Sequence, residues 1–239
     1  MQNVQKYLTK KNLLFVVIFT VLGFIALQIP VAQLEGSKTK FMLYDAFAPI
    51  AGTFIGSLPG VLAVFFMQFI NFLVHGAVIE DAGTIIRFLP MLFAVLYFAK
   101  KGKFNLVIPI IAILAFIAHP IGRTVWYFSL FWTIPIIAYF FRDRFLLARS
   151  LGATFTAHAV GGALWIWVFA LPASIWISLI PVVVLERALF AIGISVSFVL
   201  VNNLLAFLQK KHILNLGFNI EGKYLLGALY HESNTQTNP

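Results

Sequence analysis

The chain has 239 residues, of which 61% are hydrophobic and only 10% are charged, and its mean hydropathy is +0.95. A soluble domain carries about 25% charged residues, so this composition excludes one and indicates a chain embedded in lipid. The net charge of +9 has a simple explanation in the basic cytoplasmic loops of membrane proteins, so no nucleic-acid partner is expected. The absence of cysteine excludes disulfides and thiol chemistry, and neither a metal nor a cofactor is expected.

The apolar segments predict an all-α, polytopic transmembrane helical bundle with about six to eight spans. The first segment is predicted to be a retained transmembrane helix, because its apolar run is longer than the core of a signal peptide. The second and third segments are the shortest, which is typical of tilted or broken helices. The predicted segments are Leu13–Leu34, Tyr44–Gly56, Val61–His75, Thr84–Ala99, Phe104–His119, Arg123–Phe141, Arg149–Ala170 and Pro181–Leu208.

The basic residues predict the orientation of the bundle. If every segment crosses the bilayer, all the basic clusters fall on one side, and Glu35, Glu80 and Asp81 fall on the other. Because Lys and Arg accumulate in cytoplasmic loops, both termini are expected in the cytoplasm, with the chain in the cell (plasma or inner) membrane. Residues 1–211 then form one integral membrane domain and residues 212–239 a cytoplasmic tail. The clusters are Lys6, Lys10 and Lys11; Lys100, Lys101 and Lys103; Arg142, Arg144 and Arg149; and Lys210 and Lys211.

A glycine repeat marks the second and third segments. Gly52, Gly56 and Gly60 recur every four residues, and on a helix Gly52 and Gly56 would share one face. Small residues on such a face let another backbone approach closely, so we expect these glycines to be helix-packing residues. The alternative is a moving or partner-contacting surface. Pro59 followed by Gly60 also favours a tight turn that breaks the helix at this point.

Polar and aromatic residues concentrate in the half of the bundle opposite the basic clusters. Asn71 lies on one helix face with Gln68 and His75, at spacings of three and four residues. Arg123 and Trp126 share a face at the start of the sixth segment. Hydrogen bonds between helices explain the first group and an interfacial aromatic belt explains the second. A solute pocket in the outer half of the membrane explains both groups together.

The seventh segment carries a polar stripe. Thr154, His158, Gly162 and Trp165 follow the spacing i, i+4, i+8 and i+11, which places them on one helix face. A hydroxyl, an imidazole, a gap and a large aromatic ring are suited to one wall of a small-molecule pocket. The alternative is a buried histidine that is hydrogen-bonded to a neighbouring helix.

Glu186 and Arg187 form an acidic–basic pair near the outer end of the last segment. Ionisable residues within a membrane are costly unless they are paired or face a cavity, and they are functional by default. Adjacent residues of a helix do not face each other, so each is expected to find its own partner elsewhere. A salt bridge that fixes packing, either between the two residues themselves or to another helix, is the alternative.

Together these residues predict an outward-facing, aromatic-lined cavity for a flat, partly charged solute. Trp126 and Trp165 are expected to stack on the solute. Charged groups of the solute are expected to meet Arg123, Glu186 and Arg187. Asn71 and His158 are expected to supply hydrogen bonds.

Two stretches resemble the substrate-binding membrane subunits (S components) of energy-coupling-factor vitamin transporters. Ala48 to Asn71 reads A-P-I-A-G-T-F-I-G-S-L-P-G-V-L-A-V-F-F-M-Q-F-I-N, like the Gly-rich helical hairpin of that family, and Ile180 to Phe190 reads I-P-V-V-V-L-E-R-A-L-F. The resemblance implies a binder of a vitamin or similar micronutrient. It also implies partners, namely a transmembrane coupling subunit and ATPase subunits, since this chain has no Walker A motif. The first helix commonly carries Ala-x-x-x-Ala for docking, whereas here only Gly23 and Ala26 are small.

Two other functions remain open on sequence grounds. The first is a structural scaffold in an envelope complex, like the membrane subunits of cell-shape machinery, in which the polar residues are packing contacts. The second is an intramembrane hydrolase using Ser57, His158 and Glu186. The hydrolase is less favoured because no H-E-x-x-H or G-x-S-x-G motif is present, and enzymatic activity is not expected.

Overall fold

The structure, a computed structural model, describes residues 10–33, 40–211 and 218–227. The predictions for Lys6, Glu35 and most of the tail concern residues outside these ranges. In chain order the elements are α1 (Lys10–Ala26), β1 (Pro30–Gln33), β2 (Lys40–Met42), α2 (Leu43–Phe47), α3 (Ala51–Ile55), α4 (Ser57–Val74), α5 (Ala82–Ile86), α6 (Phe88–Ala99), α7 (Phe104–Ala118), α8 (Pro120–Thr124), α9 (Ile134–Phe141), α10 (Leu146–Phe169) and α11 (Ala173–Lys210), with short 3-10 turns at Ala48–Ile50, Trp126–Thr133 and Gly222–Tyr224.

The described chain contains several helices that are long and apolar enough to span a membrane. Four stretches qualify, namely Ser57–Val74, Ala82–Ala99, Leu146–Phe169 and Ala173–Lys210, and shorter apolar helices accompany them. Large apolar side chains cover the outside of the bundle: Leu13 is 61% exposed, Phe104 72% and Leu200 63%. An exposed apolar surface of this extent is suited to lipid rather than water. The predicted class, an all-α membrane protein, is therefore confirmed.

At two of the places where helix ends differ from the predicted segments, a proline lies in the apolar stretch. The helix α1 ends at Ala26, and the chain then forms an antiparallel hairpin in which Pro30 pairs with Met42. Pro30 has no N–H to donate and restricts the residue before it. The helix α11 instead begins at Ala173 and continues through Pro181 for 38 residues, about 57 Å. A proline within a membrane helix removes one hydrogen bond, which neighbouring groups can replace.

The break between the second and third segments lies at Gly56 rather than at Pro59 and Gly60. Gly56 has a φ of +103° and separates α3 from α4, a conformation that only glycine adopts readily. Pro59 falls in the first turn of α4, where its missing N–H has no helical partner to lose. A Cβ on Gly60 would overlap the backbone of Gly52, and one on Gly52 would lie 2.7 Å from the Ala99 side chain. Gly52 and Gly60 therefore pack closely, while Gly56 makes the turn.

The helix α10 occupies the centre of the bundle and packs against α6, α7, α9 and α11. Its small residues allow this close packing. A Cβ on Gly152 would overlap the ring of Tyr97, and one on Gly162 would lie 2.6 Å from the ring of Trp132. Half of α10 is buried, so polar residues on it are held inside the protein.

Two of the four predicted basic clusters meet at one end of the bundle, which we call the basic end (Lys101, Arg142, Asp143, Arg144 and Lys223). Lys101 Nζ lies 2.7 Å from Asp143 Oδ2, and this hydrogen bond lowers the pKa of Asp143. Lys223 Nζ donates to the carbonyl oxygens of Asp143 and Arg144 at 3.1 and 2.7 Å. Burial lowers the pKa of Arg142 to about 10, although its guanidinium donates to backbone carbonyls at the end of α6. These contacts join two loops and the chain after α11.

The described part of the predicted tail, residues 218–227, packs against the basic end. Asn202 of α11 and Glu221 exchange two hydrogen bonds, of 3.1 and 2.9 Å, between the amide and the backbone. The Phe218 ring lies 5.3 Å from the ring of Phe15. The segment is thus attached to α11 and α1.

Candidate solute-binding site

A cavity of about 810 Å³ lies among the helices at the end opposite the basic end. It is lined by the second half of α4, the beginning of α6, the second half of α10 and the beginning of α11. The basic end involves the opposite termini of α6, α10 and α11. The cavity has the size of small-molecule sites, which range from about 300 to 1,000 Å³.

Aromatic rings form much of the cavity wall. The Trp165 ring is stacked on Phe169 with their centroids 4.3 Å apart, and the Arg87 guanidinium lies 5.9 Å from the Trp165 centroid. Flat rings held in this way offer surfaces on which another planar group can stack. The aromatic lining residues are Tyr44, Phe72, Phe88, Phe128, Trp165 and Trp176.

Polar groups of α4 line another part of the wall, and a glutamine just after α1 contacts one of them. Gln28 Nε2 donates to Asn71 Oδ1 at 2.8 Å, and Gln68 Nε2 donates to the Phe88 carbonyl at 3.1 Å. The ring of His75 is 2.7 Å from the carbonyl oxygen of Asn71. The Asn71 side chain therefore has a fixed orientation at the cavity, with its amide N–H groups not engaged by any hydrogen bond among the described residues.

We call Tyr44, Asp45, His158 and Arg187 the floor of the cavity; all four line it. Asp45 and Arg187 also line a second cavity, of about 20 Å³, which extends toward Ile194. Tyr44 and Asp45 belong to the short helix α2, and Asp45 Oδ2 accepts the backbone N–H of Met42 at 3.2 Å. The Tyr44 hydroxyl is buried and has no partner in the described part of the chain.

The side chains of Glu186 and Arg187 pair with each other, which is one of the two predicted alternatives, and not with separate partners. Arg187 Nη2 lies 2.7 Å from Glu186 Oε2, and Arg187 Nη1 donates to Thr154 Oγ1 at 3.3 Å. The Cβ atoms of adjacent helical residues diverge, but a long arginine side chain can return to its neighbour's carboxylate. Arg187 Nε is buried, with no partner in residues 10–33, 40–211 and 218–227.

His158 is held by a ring from the neighbouring 3-10 turn. Trp132 Nε1 donates to His158 Nδ1 at 3.1 Å, and the ring of Phe128 is 5.6 Å from the imidazole. An indole N–H can only donate, so this hydrogen bond requires an unprotonated Nδ1. His158 is therefore a neutral imidazole at the floor, and both of its predicted alternatives, a cavity wall and a hydrogen bond to a neighbour, apply.

Of the predicted site residues, Asn71, His158, Trp165 and Arg187 line the cavity. Arg123, Trp126 and Glu186 do not. Arg123 is exposed and Trp126 is 51% exposed, since the backbone leaves the α-helix at Val125 and continues as a 3-10 turn. The helical face that these two residues were expected to share therefore does not exist. Glu186 reaches the site only through its ion pair with Arg187.

Tyr44 and Asp45 were missed at the sequence level. Asp45 is the acidic residue of the segment Tyr44–Gly56, and a carboxylate in an apolar segment is itself a signal of function. No group of three or more His, Asp and Glu side chains within the described ranges is arranged to hold a metal ion. The arrangement is suited to binding an organic solute by stacking, hydrogen bonds and charge.

Comparison with known proteins gives a distant relative. No family model matches the chain, and no solved structure matches it. The chain is similar to an uncharacterized protein from Methanocaldococcus jannaschii, with 26% identity over 204 residues, which cover 76% of this chain and 68% of that protein.

Proposed function

We propose that this protein is a membrane solute-uptake subunit that binds a small, flat, vitamin-like micronutrient in its cavity. The observation that carries the proposal is the cavity itself, in which aromatic rings from several helices meet a few buried polar groups. A large, mostly apolar recess with convergent polar groups is the usual form of a small-molecule site. A scaffold whose polar residues served only packing would have no need of such a space.

The proposed orientation places the basic end in the cytoplasm. Lysines and arginines accumulate on that side of a membrane, and the loops that carry them meet at one end of the bundle. The cavity, at the opposite end, then faces the outside of the cell membrane. A solute would reach it without crossing the bilayer first.

Separate coupling and ATPase subunits are proposed to energise uptake, as the resemblance to S components implies. The small residues of α1 are not available for docking them. A Cβ on Gly23 would overlap the side chain of Met67, and Ala26 is 4% exposed, so both pack inside this protein. A coupling subunit would therefore contact a different surface from the small-residue face of the S-component family.

The first test is native mass spectrometry of the full-length protein released gently from membranes. A small molecule bound at a one-to-one ratio would support the proposal and identify the solute. A clean apo mass that does not shift with a panel of vitamins and nucleobases would contradict the proposal and favour the scaffold function.

Trp165 and Trp126 provide a matched pair of variants for the site. We expect Trp165→Ala to weaken binding of the identified solute by about fivefold to 150-fold, because stacking of a flat ring on an aromatic side chain contributes about 1–3 kcal/mol. Trp126→Ala removes the same side chain from an exposed position outside the cavity and should leave the affinity unchanged. Isothermal titration calorimetry of both variants in nanodiscs makes the comparison. Equal losses in the two variants would contradict the cavity as the binding site.

A further inference from the structure

The charges at the floor do not balance. Arg187 is the one cation among the four floor residues. The Glu186 carboxylate contacts its guanidinium, and the Asp45 carboxylate interacts with it electrostatically. Glu186 pairs with Arg187 at 2.7 Å, whereas Asp45 forms no ion pair with any described residue. Because one guanidinium can neutralise only one of the two carboxylates, one negative charge remains. Asp45 is half-buried, and a carboxylate without a counter-ion in such a site is unfavourable, so a bound cation would stabilise this arrangement.

His158 does not supply the missing positive charge. Its Nδ1 accepts the indole N–H of Trp132 at 3.1 Å, and a protonated imidazole has no free nitrogen with which to accept. While this hydrogen bond exists, the imidazole stays neutral. His158 of α10 therefore does not neutralise the charge of the Asp45 carboxylate.

The charged residues at the cavity mouth do not change this balance. Glu80 and Arg87 both line the cavity but are exposed to solvent. Their charges are opposite, and water and salt screen exposed charges strongly. The electrostatic character of the floor is thus set by its own residues.

A second, independent feature points to a ligand at the same place. The residue that precedes Asp45, Tyr44, is 4% exposed and lines the cavity, and its hydroxyl has no hydrogen-bond partner among the residues described. A buried hydroxyl without a partner is unfavourable. An N–H group of a solute that reached Asp45 would offer the Tyr44 oxygen a donor as well.

We propose that the cavity selects an aromatic solute that carries a cationic nitrogen, with Asp45 as its counter-ion and the Tyr44 hydroxyl as a second hydrogen-bond partner. The ring of the solute stacks on the aromatic wall, and its protonated amine or amidinium group reaches the floor. This inference rests on the proposed solute-binding function and adds to it the chemical class of the solute.

Three probes that share one ring test the charge preference. Benzamidine is cationic at neutral pH, benzamide is neutral and benzoate is anionic. We expect the full-length protein in nanodiscs to bind benzamidine at least about tenfold more tightly than benzoate, because a charge-assisted hydrogen bond replaces a repulsion, with benzamide between them. Ligand-observed NMR titrations measure the three dissociation constants under identical ionic strength.

Variants of the floor then locate the preference. Asp45→Asn should reduce benzamidine affinity to that of benzamide while benzamide still binds, which also shows that the variant is folded. Tyr44→Phe keeps the ring and should weaken benzamidine about threefold to tenfold. Asp143→Asn removes the same charge at the basic end and should leave all three constants unchanged.

The outcomes separate this inference from the proposed function. If benzoate or benzamide binds as tightly as benzamidine, or if the preference survives in Asp45→Asn, the cavity binds solutes but the inference is overturned. If sodium chloride alone stabilises the wild type against heat and not Asp45→Asn, the site holds an inorganic cation, and the inference is overturned too. If none of the three probes binds, the inference is overturned, and the proposed function loses its support as well.

Discussion

Replacing Arg149 with methionine is expected to lower the free energy of unfolding by about 3–5 kcal/mol. Arg149 is 7% exposed and joins α3, α6 and the segment after α11. Its Nε donates to the carbonyl of Phe98 at 2.6 Å, its Nη1 to Glu221 at 2.7 Å and its Nη2 to Thr53 at 3.1 Å. A methionine side chain is of similar length, but it leaves the Glu221 carboxylate and the Phe98 carbonyl without the arginine as a hydrogen-bond donor. The loss of a buried partner is the reason for the large effect.

The arginine two residues before α10 gives the control for this substitution. Arg144 is exposed, and its guanidinium lies 5.2 Å from the neighbouring ring of Phe145, so Arg144→Met should change stability by less than about 0.5 kcal/mol. Thermal unfolding in detergent compares the two variants. Trypsin cleavage after Lys223 gives a second measurement, since release of residues 218–227 in Arg149→Met should accelerate it. Equal melting temperatures of the two variants would contradict the proposed role of Arg149.

Hydropathy and charge position predicted the class of the protein and the regions of its helices, because lipid demands long apolar runs. The ends of the helices depended on packing that the sequence does not reveal. The helix α1 ends four residues before Pro30, whereas α11 continues through Pro181, although both prolines lie in apolar stretches of the sequence. A local rule for proline treats these two residues alike, whereas the surroundings in the folded chain distinguish them.

The candidate site shows the same division between local pattern and long-range packing. The helical stripe on α10 placed His158 and Trp165 on one face, and the structure has both of them at the cavity. The face proposed for Arg123 and Trp126 assumed an α-helix that the 3-10 turn replaces. Asp45 reaches the same floor as Arg187 because α2 packs against α11, and these residues are far apart in sequence. No spacing rule along the chain connects them.

Introducing one methyl group at Gly60 is expected to destabilise the protein by about 3 kcal/mol or more. A Cβ at this position would overlap the backbone of Gly52, and a backbone cannot move aside as a flexible side chain can. Overpacking a tight core costs about 1–3 kcal/mol when side chains can adjust. Because a backbone cannot adjust in this way, we expect the cost at Gly60 to reach or exceed the upper end of that range. Separation of α3 from α4 would also disturb Thr53, which accepts a hydrogen bond from Arg149.

Thermal unfolding of Gly60→Ala and of a second glycine variant tests this expectation. A Cβ on Gly222 would meet no atom within 4 Å, so Gly222→Ala is expected to unfold near the wild-type temperature. Gly60→Ala should unfold well below it and lose solute binding in parallel, because α4 carries Asn71 to the cavity wall. If Gly60→Ala kept the wild-type melting temperature, the close approach of α3 and α4 at Gly52 would be wrong. The two helices would then have space between them that the packing described above does not contain.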